Sequence, residues 1–257
     1  MTHDTCRPVT RAATFATVLA LAGALAATAQ VTAIGLSGVR SQHFGNEDRV
    51  GFDPQASERF AWSLAAGDFN GDGAADLASG IPYDNGITGL EIAFCGAVVV
   101  RYGLPGRGLD PGLANSFLRQ TPALDPPDMG DLYGWAITAC DFDADGFADL
   151  AIGVPGEDGA AGAFHAVFGG PAGLSAAGSL FWSETFIGGL SEAGDEFGHA
   201  LAAGDFDGDG HADLAAGAPW EDAGGLADVG AEIVAYGALF ADGFGTAAAD
   251  QWTATAP

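Results

Sequence analysis

The sequence predicts an all-β fold made of blade-like units, each of four short antiparallel strands, and two patterns predict it. A nine-residue acidic stretch occurs three times, as DFNGDGAAD (Asp68–Asp76), DFDADGFAD (Asp141–Asp149) and DFDGDGHAD (Asp205–Asp213), at intervals of about 70 residues. Around each copy, short runs of small and apolar residues alternate with glycine and proline, a punctuation that suits strands and leaves no room for long helices. Four strands per repeat at such a period describe β-propeller-type blades.

Taken in order, the chain opens with Arg7 and Arg11, then an alanine-rich apolar run from Ala12 to Ala29 that closes on Ala27-Thr28-Ala29. Positive charge, apolar run and small-x-small ending have the form of a secretory signal peptide over residues 1–29, cleaved before Gln30. No other stretch is long and apolar enough to span a bilayer. The expected location is therefore secreted, periplasmic or cell-surface. Residues 30–59 are less regular, with a possible strand over Val31–Val39. Cleavage leaves two cysteines, Cys95 and Cys140, which an exported chain could pair or bury as thiols.

The repeats fill residues 60–257, in units of about 60–132, 133–196 and 197–257. Each opens on an aromatic followed by a small residue: Phe60-Ala61, Tyr133-Gly134, Phe197-Gly198. A first strand leads into the acidic loop, and a second leaves it and stops at glycine-x-proline: Gly80-Ile81-Pro82, Gly153-Val154-Pro155, Gly217-Ala218-Pro219. A third strand follows between two glycines, as GAVVVRYG from Gly96, GAFHAVFG from Gly162 and GAEIVAYG from Gly230. A fourth is expected near Ser116–Gln120, Leu180–Glu184 and Gln251–Thr255.

The acidic loop is the chemically specific element. Oxygen side chains stand at positions 1, 3, 5 and 9, and glycine at position 6 permits a sharp bend. A hard cation that takes six to eight oxygens at about 2.3–2.6 Å needs such a set, and calcium fits it better than magnesium, which dehydrates reluctantly. The residue at position 7 would contribute its backbone carbonyl, which frees its side chain to vary. An EF-hand is excluded: its loop ends in a bidentate Glu at position 12, where this chain has Ser79, Ile152 and Ala216.

Composition narrows the partners. Lysine is absent, the formal net charge is −26, and the phosphates of nucleic acid or anionic lipid would be repelled. Glycine is abundant but placed in turns, not in the strict triplet of a collagen.

With these motifs in place, the chain resembles FG-GAP repeat proteins, the blade-forming units of integrin α-subunit propellers. Phe197-Gly198 and Gly217-Ala218-Pro219 match both halves of the family's name literally, and the other two repeats match with conservative changes. The resemblance covers about Phe60 to Thr255 and implies a propeller whose calcium loops join the first two strands of a blade. It implies three calcium ions, one per repeat. The first set of ligands would be Asp68, Asn70, Asp72, Asp76 and the carbonyl of Ala74. The second would be Asp141, Asp143, Asp145, Asp149 and the carbonyl of Phe147, and the third Asp205, Asp207, Asp209, Asp213 and the carbonyl of His211.

Two departures from the family follow. Ala61 stands where a glycine is usual, and three repeats fall short of the four to eight blades of a closed propeller. A homodimer could complete a six-bladed ring, the chain could be a fragment, or the blades could form an open arc. No arginine-glycine-aspartate tripeptide is present, so integrin-style ligand recognition does not carry over.

No catalytic constellation stands out: no G-x-S-x-G elbow, H-E-x-x-H or C-x-x-C occurs. His165, His199 and His211 are expected to pack or face solvent. Glu157-Asp158 and Glu221-Asp222 are expected to form solvated acidic connections. Trp62, Trp135 and Trp220 could stack on sugar rings or pack at blade edges. The expectation is a secreted, calcium-binding, non-enzymatic adhesion module for an extracellular protein or glycan ligand. The alternative is a propeller-type enzyme or accessory domain acting on polysaccharide or phospholipid.

Overall fold

Each acidic loop is the turn of a β-hairpin, and each hairpin starts one sheet. The computed structural model describes residues 41–45, 56–85, 93–111, 115–120, 126–184, 192–222 and 224–237. The chain divides into two compact units, Arg7–Phe44 and Gly45–Pro257 with Met1–Cys6, and the elements below lie in the second. The expected leader over 1–29, the strand over 31–39 and the fourth strand of the last repeat over 251–255 lie outside the described residues.

The first blade pairs β1 (Leu64–Gly67), β2 (Asp76–Ile81), β3 (Ala97–Arg101) and β6 (Asn115–Leu118) in that order, all antiparallel. A two-stranded ribbon, β4 (Gly103–Leu104) with β5 (Gly108–Leu109), sits between its third and fourth strands. The second blade repeats the plan with β7 (Ile137–Cys140), β8 (Asp149–Val154), β9 (Ala163–Phe168) and β10 (Ser175–Ser183), the last carrying a register shift between Ser175 and Leu180. A four-residue helical turn, α1 (Glu157–Ala160), precedes β9. In the third blade the described strands are β11 (Ala200–Gly204), β12 (Asp213–Ala218) and β13 (Ala231–Ala235). These are propeller-like blades of antiparallel strands, as the repeat predicts.

The inner strands β3, β8 and β9 are buried nearly end to end, which explains their continuous apolar runs. Two apolar clusters lie where blades meet. One gathers Phe69, Val98, Val100, Tyr133, Leu150 and Ile152 between the first and second blades; the other gathers Phe142, Phe164, Trp182, Phe197 and Leu214 between the second and third.

The glycines of the repeat set how closely blades approach. The Tyr133 N–H donates to the Cys95 carbonyl at 3.0 Å, and the Phe197 N–H to the Ala161 carbonyl at 3.0 Å, so each opening aromatic is tied to the blade before it. A Cβ on Gly80 would stand 2.1 Å from the Gly134 carbonyl oxygen, and one on Gly153 would stand 2.1 Å from that of Gly198. Glycine in the first two glycine-x-proline motifs is thus a packing requirement. Cys95 is a free thiol that burial pushes up to about 11, so the pairing with Cys140 is not formed.

Candidate metal centre

The loop residues build their own scaffold before any cation is considered. In the first loop both Asp68 oxygens accept backbone N–H groups, from Asp72 at 3.1 Å and from Gly73 at 2.8 Å. Asn70 Oδ1 also accepts from the Asp72 N–H, at 3.0 Å, and Asp72 Oδ1 accepts from that of Ala74 at 2.8 Å. The second loop repeats this set through Asp141, Asp143 and Asp145, whose N–H donors are those of Asp145, Gly146 and Phe147. In the third, Asp205, Asp207 and Asp209 accept from Gly208, Asp209, Gly210 and His211. Positions 1, 3 and 5 therefore fold the loop through short side-chain turns that aspartate and asparagine favour.

Position 9 has a different task. Asp76 is buried, accepting from the Phe69 N–H at 2.8 Å and from the Gly103 N–H at 2.7 Å. Asp149 does the same with Phe142 and Gly169, and Asp213 with Phe206 and Gly237. Each donor glycine lies one or two residues past the third strand of its blade, so one carboxylate locks the loop to the chain leaving that strand. A Cβ on Gly103, Gly169 or Gly237 would stand 2.2–2.4 Å from a loop carbonyl oxygen, which explains why the third strand ends in glycine. Sequence reasoning missed this contact, although the recurring closing glycine was its signal.

Electrostatics point to a cost that a cation would relieve. Burial, aided by the Asp143 and Asp141 charges, pushes Asp149 up to about 7. Burial also raises Asp76, Asp141 and Asp143, with neighbouring loop carboxylates adding to it. Ligand oxygens of Asp141, Asp143 and Asp149 lie within 4.8 Å of one another, as do those of Asp205, Asp207 and Asp213. Oxygens on a single calcium, each about 2.3–2.6 Å from it, are at most about 5 Å apart, so both groups fit one ion. A carboxylate that accepts two N–H bonds keeps lone pairs for a cation. The first loop has Asp68, Asn70 and Asp76 at the same positions, with an amide in place of one carboxylate. Asp72, Asp145 and Asp209 are exposed and outside these close groups. The loops of the first two blades are neighbours: the Ala148 N–H donates to the Asp68 carbonyl at 3.0 Å.

Other candidates fall elsewhere. His165 is buried in β9 and shares a 2.7 Å hydrogen bond with the Tyr133 hydroxyl. Trp62, Trp135, His199 and Trp220 form one run of ring contacts, at 5.0, 5.1 and 5.1 Å, across all three blades at the strand ends opposite the acidic loops. Arg59 lies over Trp62 and Tyr83 at its start. The acidic connections differ from expectation. Asp84 and Glu157 are buried rather than solvated, because Arg119 pairs with the first and the Gln120 amide donates to the second. Asp158 and Asp222 are exposed.

Comparison with known proteins supplies the context. The model of the FG-GAP repeat matches residues 60–90, 133–167 and 197–231. The chain is similar to Phosphatidylinositol-glycan-specific phospholipase D of Mus musculus, 36% identical over 108 residues that cover 40% of this chain and 13% of that protein. The same enzyme of Rattus norvegicus is 30% identical over 171 residues, 65% of this chain and 19% of that protein. Integrin alpha-PS2 of Drosophila melanogaster is 28% identical over 170 residues, 62% of this chain and 10% of that protein. The chain thus spans 10–19% of the length of these relatives.

Proposed function

We propose that this chain, which carries three FG-GAP repeats, is an exported calcium-binding module for adhesion or ligand recognition, in which calcium is a structural tie and takes no part in a reaction. The observation that carries the reading is the convergence of buried and half-buried carboxylates in the hairpin turns, with no cationic side chain bonded to them among the described residues. The ligands are Asp68, Asn70, Asp72, Asp76; Asp141, Asp143, Asp145, Asp149; and Asp205, Asp207, Asp209, Asp213, joined by the carbonyls of Ala74, Phe147 and His211. Two charges 4 Å apart repel by about 1 kcal/mol in water and by several times that in a drier site. Calcium would remove that repulsion and hold each loop against its third strand.

Recognition of a protein or glycan is assigned to the aromatic run, where Trp62, beside Arg59, and Trp220 are exposed. Glycan-array or pull-down binding that falls at least tenfold in Trp62→Ala and Trp220→Ala would support this surface. Unchanged binding would remove it. The likeness to two phospholipases D favours a second reading, a domain that serves an enzyme acting on phospholipid or polysaccharide. Turnover by the chain alone, lost on Glu221→Gln, would favour that reading over the binding module. Among the described residues no helix is long and apolar enough to cross a membrane. Export itself is tested by sequencing the N-terminus of the protein recovered outside the cell, expected at Gln30.

Association is part of the proposal. At loop position 2, Phe69 and Phe142 are 0% and 1% exposed because each packs toward the following blade, whereas Phe206 is 53% exposed. A Cβ on Gly217 would come no nearer than 3.7 Å to any atom, unlike Gly80 and Gly153. Among the described residues the third blade thus presents the face that the first two cover, and a second copy of the chain is the proposed partner.

A further inference from the structure

The two junctions between blades are built from equivalent positions, yet they differ at one of them: the first has an amide where the second has a carboxylate. At the first junction the positions are Gln120, two residues past β6; Asp131, two before Tyr133; and Glu157, two after Pro155. At the second they are Glu184, just past β10; Asp195, two before Phe197; and Glu221, two after Pro219. In the first, the Gln120 Nε2 donates to Glu157 Oε2 at 2.5 Å. In the second, a carboxylate stands where that donor was.

One ligand oxygen each from Glu184, Asp195 and Glu221 lies within 4.8 Å of the other two. Glu184 and Asp195 are only 2% and 4% exposed. Asp195 Oδ2 accepts from the Glu192 N–H at 2.6 Å, but the buried Glu184 Oε2 and Glu221 Oε2 receive no hydrogen bond. Burial raises both Glu184 and Glu221; the Glu221 and Asp195 charges, with a side-chain hydrogen bond to Glu221, add to it at Glu184, and the Asp195, Glu192 and Asp222 charges, with a side-chain hydrogen bond to Asp195, add to it at Glu221. Carboxylates buried among like charges are relieved by a proton shared between them or by a cation held between them.

We propose that Glu184, Asp195 and Glu221 hold a divalent cation of the calcium class at the junction of the second and third blades. The oxygen spacing fits a single ion by the same criterion as the loops. This position is at the opposite end of the strands: Glu221 follows the end of β12, and the acidic loop precedes its start. It would fasten one blade to the next, whereas each loop cation would act within its own blade. The first junction has the neutral Gln120 at the position of Glu184, and so one carboxylate fewer.

Glu184→Gln tests this directly, since it installs the residue type that the first junction already carries. Calcium bound per chain is measured by equilibrium dialysis and elemental analysis, with circular dichroism to verify folding. The expected result is one calcium fewer per chain than in the parent. The three loops are unaltered, so this difference does not depend on how many of them bind. Should Glu184→Gln fail to fold, Glu221→Gln, at the less buried position, gives the same readout. Equal calcium content in the folded variant and the parent overturns the proposal and leaves a shared proton as the occupant.

Discussion

Ala144 occupies position 4 of the second loop at φ 60°, where the first and third loops place Gly71 at 72° and Gly208 at 80°. The left-handed region costs a residue with a Cβ about 1 kcal/mol, partly offset by the greater freedom of glycine when unfolded. Ala144→Gly is therefore expected to stabilise the protein by about 0.5 kcal/mol, read as a higher urea midpoint. Sequence reasoning required glycine only at position 6. The demand at position 4 was not legible, because alanine fills it in one repeat of three. Burial holds His165 down at about 4, below its ordinary value of 6.5. Between those values the unfolded chain takes up a proton that the folded one refuses, so stability is lost as pH falls through this window. The total is about 3 kcal/mol. Urea midpoints measured from pH 7 to pH 4 should fall less steeply in His165→Phe than in the parent.

At the scale of the element, the nine-residue loop divides into two jobs. Asp149→Ala should strand the buried N–H groups of Phe142 and Gly169, at a cost of about 2–4 kcal/mol whether or not calcium is present. Asp145→Ala removes an exposed group that accepts one N–H, so its effect should show mainly as a weaker response to calcium. Denaturation of both variants with calcium and with chelator separates these roles. The hairpins, their strand limits and the carboxylate spacing were legible because ligands and turn residues lie within nine positions of one another. The lock between Asp76 and Gly103 was not, since its partners are distant in sequence and meet only through strand pairing. The Glu184, Asp195 and Glu221 group was hidden for the same reason, and Glu221 alone reads as a surface residue.

For the whole molecule, blade contact depends on glycines that admit the next blade's backbone. Gly153→Ala would push a methyl group against the Gly198 carbonyl and should destabilise the chain by about 2–3 kcal/mol. Gly217→Ala meets nothing closer than 3.7 Å and should leave the stability of the single chain within about 0.5 kcal/mol of the parent. If a second copy supplies the following blade, Gly217→Ala and Phe206→Asp should both lower the fraction of dimer in sedimentation, while Gly153→Ala should act through folding. A parent chain that sediments as a monomer at all concentrations would contradict the ring-completing dimer. The three described blades were legible from the motifs; what covers the third was not, because a contact with a following blade leaves no local residue pattern.

The most direct test of the central claim is the melting temperature of the chain in excess calcium and in chelator. Calcium at ten times its dissociation constant should add about 1.4 kcal/mol per loop, or about 4 kcal/mol for three. For a domain of this size that is a rise of about 10 °C. The rise should shrink stepwise as Asp72→Ala, Asp145→Ala and Asp209→Ala are combined. An identical melting temperature in calcium and in chelator would contradict the claim that cations tie each acidic loop into its blade.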